Sequence, residues 1–132
     1  MRTRQFLLLA GLGCVLAFPV LAANTSALAQ LERFSAEAGR AGQADAGRQF
    51  FLKKHGQPWA CASCHGELPT GNGRHASTGK VLEPLAPAFN PQSLSDVARV
   101  DKWFRRNCKD VLGRECSAGE KADVLAWLIG LK

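Results

Sequence analysis

Between Ala27 and Leu131 the chain alternates stretches in which apolar residues recur at helical spacing with stretches that have no period. Ala27 to Ala38 and Ala44 to Lys54 have helical composition, and Gly39 to Gly42 marks a break between them. Lys53 and Lys54, then Gly56, are the stop signals expected at the end of the second stretch. Within it Gly47 and Phe51 fall four apart, on one face. Residues 56–90 are rich in Gly and Pro and read mostly as loop. So long a loop in a small domain implies that something other than polypeptide fills its middle. A further helix is predicted from near Ser93 or Ser95, where "SLSD" sets Asp96 three residues after Ser93, a capping-box spacing. Val97, Val100, Trp103, Phe104 and Asn107 follow at intervals of three and four, which is one helical face. The last helix repeats the device: Ser117 caps, Glu120 lies three later, and Val124, Leu125, Trp127, Leu128 and Leu131 form the apolar side. No run shows the period-two alternation of a strand, so the predicted fold class is all-α.

The first residues follow a different pattern. "MRTRQFLLLAGLGCVLAFPVLAANTSALAQ" sets Arg2 and Arg4 ahead of an uncharged, largely apolar stretch from Phe6 to about Ala23, followed by small residues. That is the layout of a secretory signal peptide. Val20-Leu21-Ala22 places cleavage after Ala22, with Ala27-Leu28-Ala29 as a second choice; an uncleaved membrane anchor is the competing reading, since about 18 apolar residues can just span a bilayer. Cleavage leaves residues 23–132, enough for one domain with one modest core, expected in the periplasm. It also removes Cys14 and the only methionine, Met1. Cys61, Cys64, Cys108 and Cys116 remain, an even count that suits an exported protein with every thiol committed. Without Arg2 and Arg4, 15 basic residues face 11 acidic ones. That surplus is modest and free of aromatic interleaving, which argues against nucleic acid and leaves room for an acidic protein partner.

The chemistry concentrates at "CASCH", Cys61 to His65. Two thiols three apart can add across the two vinyl groups of one haem, and the adjacent His65 then reaches the iron as an axial ligand. A thioredoxin-type pair would follow a strand, and none is predicted. A zinc site would need Cys108 and Cys116, whose seven-residue gap is no zinc-knuckle spacing. A Cys61–Cys64 disulfide would close a small, strained ring. One covalent haem c is therefore expected, and it supplies the core that the loop-rich middle lacks. Gly47, Phe51 and Trp127 then fit two helices crossing closely, with the glycine permitting the approach. Arg74 and Lys80 are candidates to neutralise the haem propionates, with ordinary solvated charges as the alternative.

The second axial ligand is open at this point. Methionine is excluded once Met1 leaves with the signal peptide. His55 lies six residues before Cys61 and has trouble reaching the opposite haem face, while His75 sits in a flexible loop. Asn107 shares a helical face with Val100, Trp103 and Phe104; the competing reading is an amide satisfied by backbone. A Cys108–Cys116 bridge would tie the end of that helix to the start of the last one.

"WACASCHG", "GRHASTGKVLEPLAPAFNP", "DKWFRRNCKDVLGREC" and "EKADVLAWL" resemble the sphaeroides haem protein family, a group of class I c-type cytochromes, from about Gly47 to Leu131. The resemblance implies a class I cytochrome c-like bundle of short helices around one haem, with His65 and Asn107 as axial ligands and a Cys108–Cys116 disulfide. It implies oxygen binding together with electron acceptance from a multihaem (dihaem) c-type cytochrome or a membrane cytochrome. Release of Asn107 on reduction would admit dioxygen, nitric oxide or carbon monoxide. A simple electron carrier, with bis-histidine or permanent His/Asn ligation, is the alternative, and an enzyme reducing oxygen or a nitrogen oxide is a third reading. Ala23 to Gly42 lie outside the resemblance and carry no assigned role.

Overall fold

The computed structural model describes residues 25–132; the expected signal peptide, residues 1–22, lies outside the described residues. The elements run α1 (Ala27–Ala38), α2 (Ala44–Leu52), α3 (Ala62–His65), β1 (Gly73–Arg74), β2 (Val81–Leu82), α4 (Val97–Leu112) and α5 (Ala118–Gly130). The all-α class holds, with one exception: β1 and β2 pair antiparallel, Gly73 opposite Leu82 and Arg74 opposite Val81. Two residues are too short to display a period, which is why alternation does not reveal them. Among the described residues no helix is long and apolar enough to cross a membrane.

The caps explain where helices begin. Ser117 accepts from the Glu120 N–H while Glu120 reaches back to the Ser117 N–H, the predicted capping box. At α4 the expected pairing of Ser93 with Asp96 is replaced: Asp96 itself is the cap, accepting from the Arg99 N–H at 2.6 Å. The Ser93 hydroxyl instead donates to the Leu85 carbonyl at 2.7 Å. α2 ends at Leu52 rather than Lys54, because Lys53 has already turned to extended backbone (φ −80°, ψ 140°).

α5 is the central element, burying Ala122, Val124, Leu125, Trp127 and Leu128, and both α1 and α2 lie along it. One apolar cluster joins Phe34, Val100, Ala122 and Leu125; a second joins Phe51, Val124, Trp127 and Leu128. Phe104 of α4 packs against both. Residues 27–38, without an assigned role in the sequence, thus contribute Phe34 to the core at 1% exposure. Gln30 is buried beside it, accepting from Arg33 at 2.7 Å, and Arg33 pairs with Asp101 of α4 at 2.7 Å. The expected close crossing is that of α2 on α5. Gly47 packs so tightly that an added Cβ would lie 1.9 Å from the Asp123 carbonyl oxygen.

Among the described residues Asp123 is the one buried acid. Its carboxylate receives Arg40 bidentately at 2.7 and 2.8 Å and the Gln43 N–H at 2.8 Å. It thereby caps α2 from another helix, since Gln43 makes no side-chain cap bond of its own. The Arg40 hydrogen bonds hold this carboxyl below its ordinary range, against the opposing effect of burial. A carboxyl depressed in the folded state stabilises above its unfolded pKa, about 3.9, and that contribution is lost as pH falls through the folded value. The thermal midpoint should be level from pH 7 to about 5 and fall below about 4. Asp123→Ala should cost about 2 kcal/mol at pH 7 by leaving the Gln43 donor unmatched, and should flatten part of that acid slope in thermal scans.

Candidate haem site

α3 is a single turn made by the motif itself. The His65 N–H donates to the Cys61 carbonyl at 3.1 Å and the Gly66 N–H to Ala62 at 2.9 Å. The Ser63 hydroxyl accepts from the Ala60 N–H at 2.9 Å, closing the turn from its front. Residues three apart on such a turn share a side, so Cys61 and Cys64 are neighbours. Both are free thiols, and both are half-buried.

The core positions this turn. Cys61 and Ala62 pack against the cluster of Phe51, Trp127 and Leu128. The Phe51 ring lies 4.9 Å from Trp127 and 6.2 Å from the His65 ring, so one aromatic bridges the core and the imidazole. Burial lowers the pKa of His65, and the charge of His75 works in the same direction, which favours the neutral, metal-binding form of the ring. Burial pushes the Cys61 thiol up to about 11, so it is protonated at neutral pH.

The hairpin closes over the other side of the turn. A Cβ on Gly73 would sit 2.2 Å from the Cys64 carbonyl oxygen, so only glycine lets β1 approach α3 this closely. From the loop between the strands the Ala76 N–H donates to the Cys64 sulfur at 3.3 Å. His75 Nδ1 accepts from the Ser77 and Thr78 N–H groups, each at 3.3 Å. His55 is engaged elsewhere: its Nε2 meets the Phe50 carbonyl at 2.9 Å, and its ring lies 4.4 Å from that of Phe50. The guanidinium of Arg74 donates to the Gly79 carbonyl at 2.9 Å, tying the hairpin loop; Lys80 is exposed.

On α4 the buried side chains are Val100, Cys108 and Val111, with Phe104 half-buried among them. Trp103, expected on that stripe, is 45% exposed, and Asn107 is half-buried. The two stand one turn apart at the rim of the packed stripe rather than at its centre. Side-chain hydrogen bonds of α4 involve Asp96 and Asp101; Asn107 enters none among the described residues. Cys108 is bonded to Cys116, tying the last turn of α4 to the residue before the α5 cap.

These residues fit a haem c. Two free thiols on one turn match two vinyl groups, and a neutral imidazole follows at once. Among the described residues the large apolar side chains that reach solvent are Leu28, Leu68, Val81, Phe89 and Trp103, at 45–64% exposure. All but Leu28 belong to the segments after the motif or to α4, a concentration suited to covering an apolar ring. Asp123 and Phe34, which set the frame around the site, escaped the sequence because both act through contacts distant in the chain.

A family model described as "Domain of unknown function (DUF1924)" matches residues 36–128. The cytochrome c-type protein SHP of Cereibacter sphaeroides is 46% identical over 121 residues, covering 89% of this chain and 93% of that protein. The likeness thus extends beyond the span from Gly47 to Leu131. A structure of oxidised SHP, described as an oxygen-binding cytochrome c, superposes with a TM-score of 0.75 at 44% identity, covering 80% of this chain and 97% of that one. A solution structure of cytochrome c'' from Methylophilus methylotrophus, described as giving insights into the structural basis of haem-ligand detachment, has a TM-score of 0.68 at 33% identity, covering 79% and 92%.

Proposed function

The chain belongs to the SHP family of c-type cytochromes, and on that premise we propose that it is an exported monohaem cytochrome closed by Asn107 when oxidised and open to a diatomic gas when reduced. When bound, a haem would supply an iron that accepts one electron. Cys61 and Cys64 would hold the ring covalently, and His65 would provide one nitrogen ligand. Asn107 provides the other ligand through its amide oxygen, a neutral, hard donor that suits a ferric centre and is held weakly by a ferrous one. Once released, its amide N–H groups are available to donate a hydrogen bond to an incoming gas. The Cys108–Cys116 bond limits how far that residue can travel. Trp103, one turn before Asn107, would cover the ring, and Arg74 and Lys80, on and beside the hairpin, would serve as counterions for the propionates.

One observation carries this reading: half-buried Asn107 leaves its amide accessible and without a hydrogen-bond partner among the described residues, while His55 and His75 are each engaged by backbone. Two relatives support it, one described as oxygen-binding and the other by haem-ligand detachment. The electron donor is a dihaem or other multihaem c-type cytochrome, or a membrane cytochrome, and the site of action is the periplasm.

Optical spectra test the proposal. The reduced holoprotein should bind carbon monoxide with a clear change in its visible bands, and the oxidised form should not respond. A reduced form that ignores carbon monoxide would leave a plain electron carrier.

A further inference from the structure

Five cations lie on α4, namely Arg99, Lys102, Arg105, Arg106 and Lys109, and all five are exposed. The helix has two carboxylates, and one of them, Asp101, is tied to Arg33 of α1. Asp110, and Asp96 at the N-cap, remain to offset five cations. At 3.6 residues per turn the five fall within about a third of the helix circumference. Trp103 stands at the border between this sector and Asn107. Its ring is 45% exposed, with the Lys102 ammonium 5.5 Å and the Arg106 guanidinium 5.8 Å from the ring centre.

A basic helix face alone is commonly just solvated. Here uncompensated charge, an exposed indole and the proposed iron ligand coincide on one helix. Tryptophan and arginine side by side on an accessible surface are the composition of an interface anchor rather than of a bare solvent face.

We propose that the basic face of α4, with Trp103 at its edge, docks the acidic surface of a one-electron donor protein, so that electrons enter beside Asn107. The inference rests on the electron acceptance proposed above. A single electron passes from the donor's reduced centre to the oxidised iron, with no atom transferred. Complementary charge raises the encounter rate, and salt screens it over about 8 Å at physiological ionic strength.

The test is stopped-flow reduction of the oxidised holoprotein by flavodoxin hydroquinone, an acidic one-electron donor protein, at low and high salt. The wild-type rate should fall steeply with salt. Arg105→Glu/Arg106→Glu/Lys109→Glu should slow it by about tenfold or more at low salt and remove the salt dependence. Arg48→Glu/Lys53→Glu/Lys54→Glu changes the net charge equally at exposed positions on and just after α2, and should slow the reaction less than about threefold. An unslowed α4 variant overturns the proposal, and so does equal slowing by both variants, which would report net charge alone. Sedimentation with phosphatidylglycerol vesicles adds a further arm: capture that depends on the α4 cations, with flavodoxin reduction unaffected, would overturn the protein partner in favour of a lipid surface. Carbon monoxide affinity of the reduced α4 variant should match wild type. If neither protein binds the gas while the rate pattern holds, the gas-binding reading fails and the docking face stands.

Discussion

Gly47→Ala is expected to destabilise the domain by at least about 3 kcal/mol, seen as a lowered denaturant midpoint with an unchanged slope. The added methyl carbon would lie 1.9 Å from the Asp123 carbonyl oxygen, 2.3 Å from its carbon and 2.8 Å from the Val124 nitrogen. All three are backbone atoms inside α5, so no side-chain rotation relieves the clash. α2 must move off α5, and with it Phe51, whose ring links Trp127 to His65. Alanine's better helix propensity returns only about 1 kcal/mol. Against a total stability of about 5–15 kcal/mol, the loss is a large fraction. Gly130→Ala is the control: nothing lies within 4 Å of its added carbon, so at the last position of α5 stability should hold or rise slightly. Equal midpoints for the two variants would show that the α2–α5 contact is looser than described.

What the sequence made legible was local. The Ser117–Glu120 box, the apolar side of α5 and the haem motif each lie within one or two helical turns, so spacing alone identifies them. Even Gly47 could be read, because Phe51 one turn later named the buried face of α2. What escaped depended on partners far along the chain. Ser93 has the spacing of a cap, but the Leu85 carbonyl captures its hydroxyl, and the helix starts at Asp96 instead. α1 carries no chemistry, and its purpose emerges only when Phe34 meets Val100, Ala122 and Leu125. Asp123 looks like any polar residue on the last helix until Arg40 and Gln43 converge on it. Spacing alone sets Trp103 on the buried stripe, yet a helix face has edges, and this indole stands between packed residues and a cationic sector.

Asn107 carries the functional argument, and Asn107→Ala should have the largest effect on ligand binding. If the amide oxygen occupies the oxidised iron, any external ligand must first displace it. Apparent affinity is then reduced by the fraction of molecules already open. Removing the amide lifts that competition in the oxidised state alone, because reduction has already released it in the wild type. Its side chain enters no hydrogen bond among the described residues, so its loss should leave the stability of the reduced protein almost unchanged. The deciding measurement is a paired optical titration of wild-type and Asn107→Ala holoprotein, with imidazole in the oxidised state and carbon monoxide in the reduced state. The substitution should tighten imidazole binding by about tenfold or more and alter carbon monoxide binding by less than about threefold. Unchanged imidazole affinity would show that Asn107 does not hold the oxidised iron; an equal gain for both ligands would show that reduction does not release it.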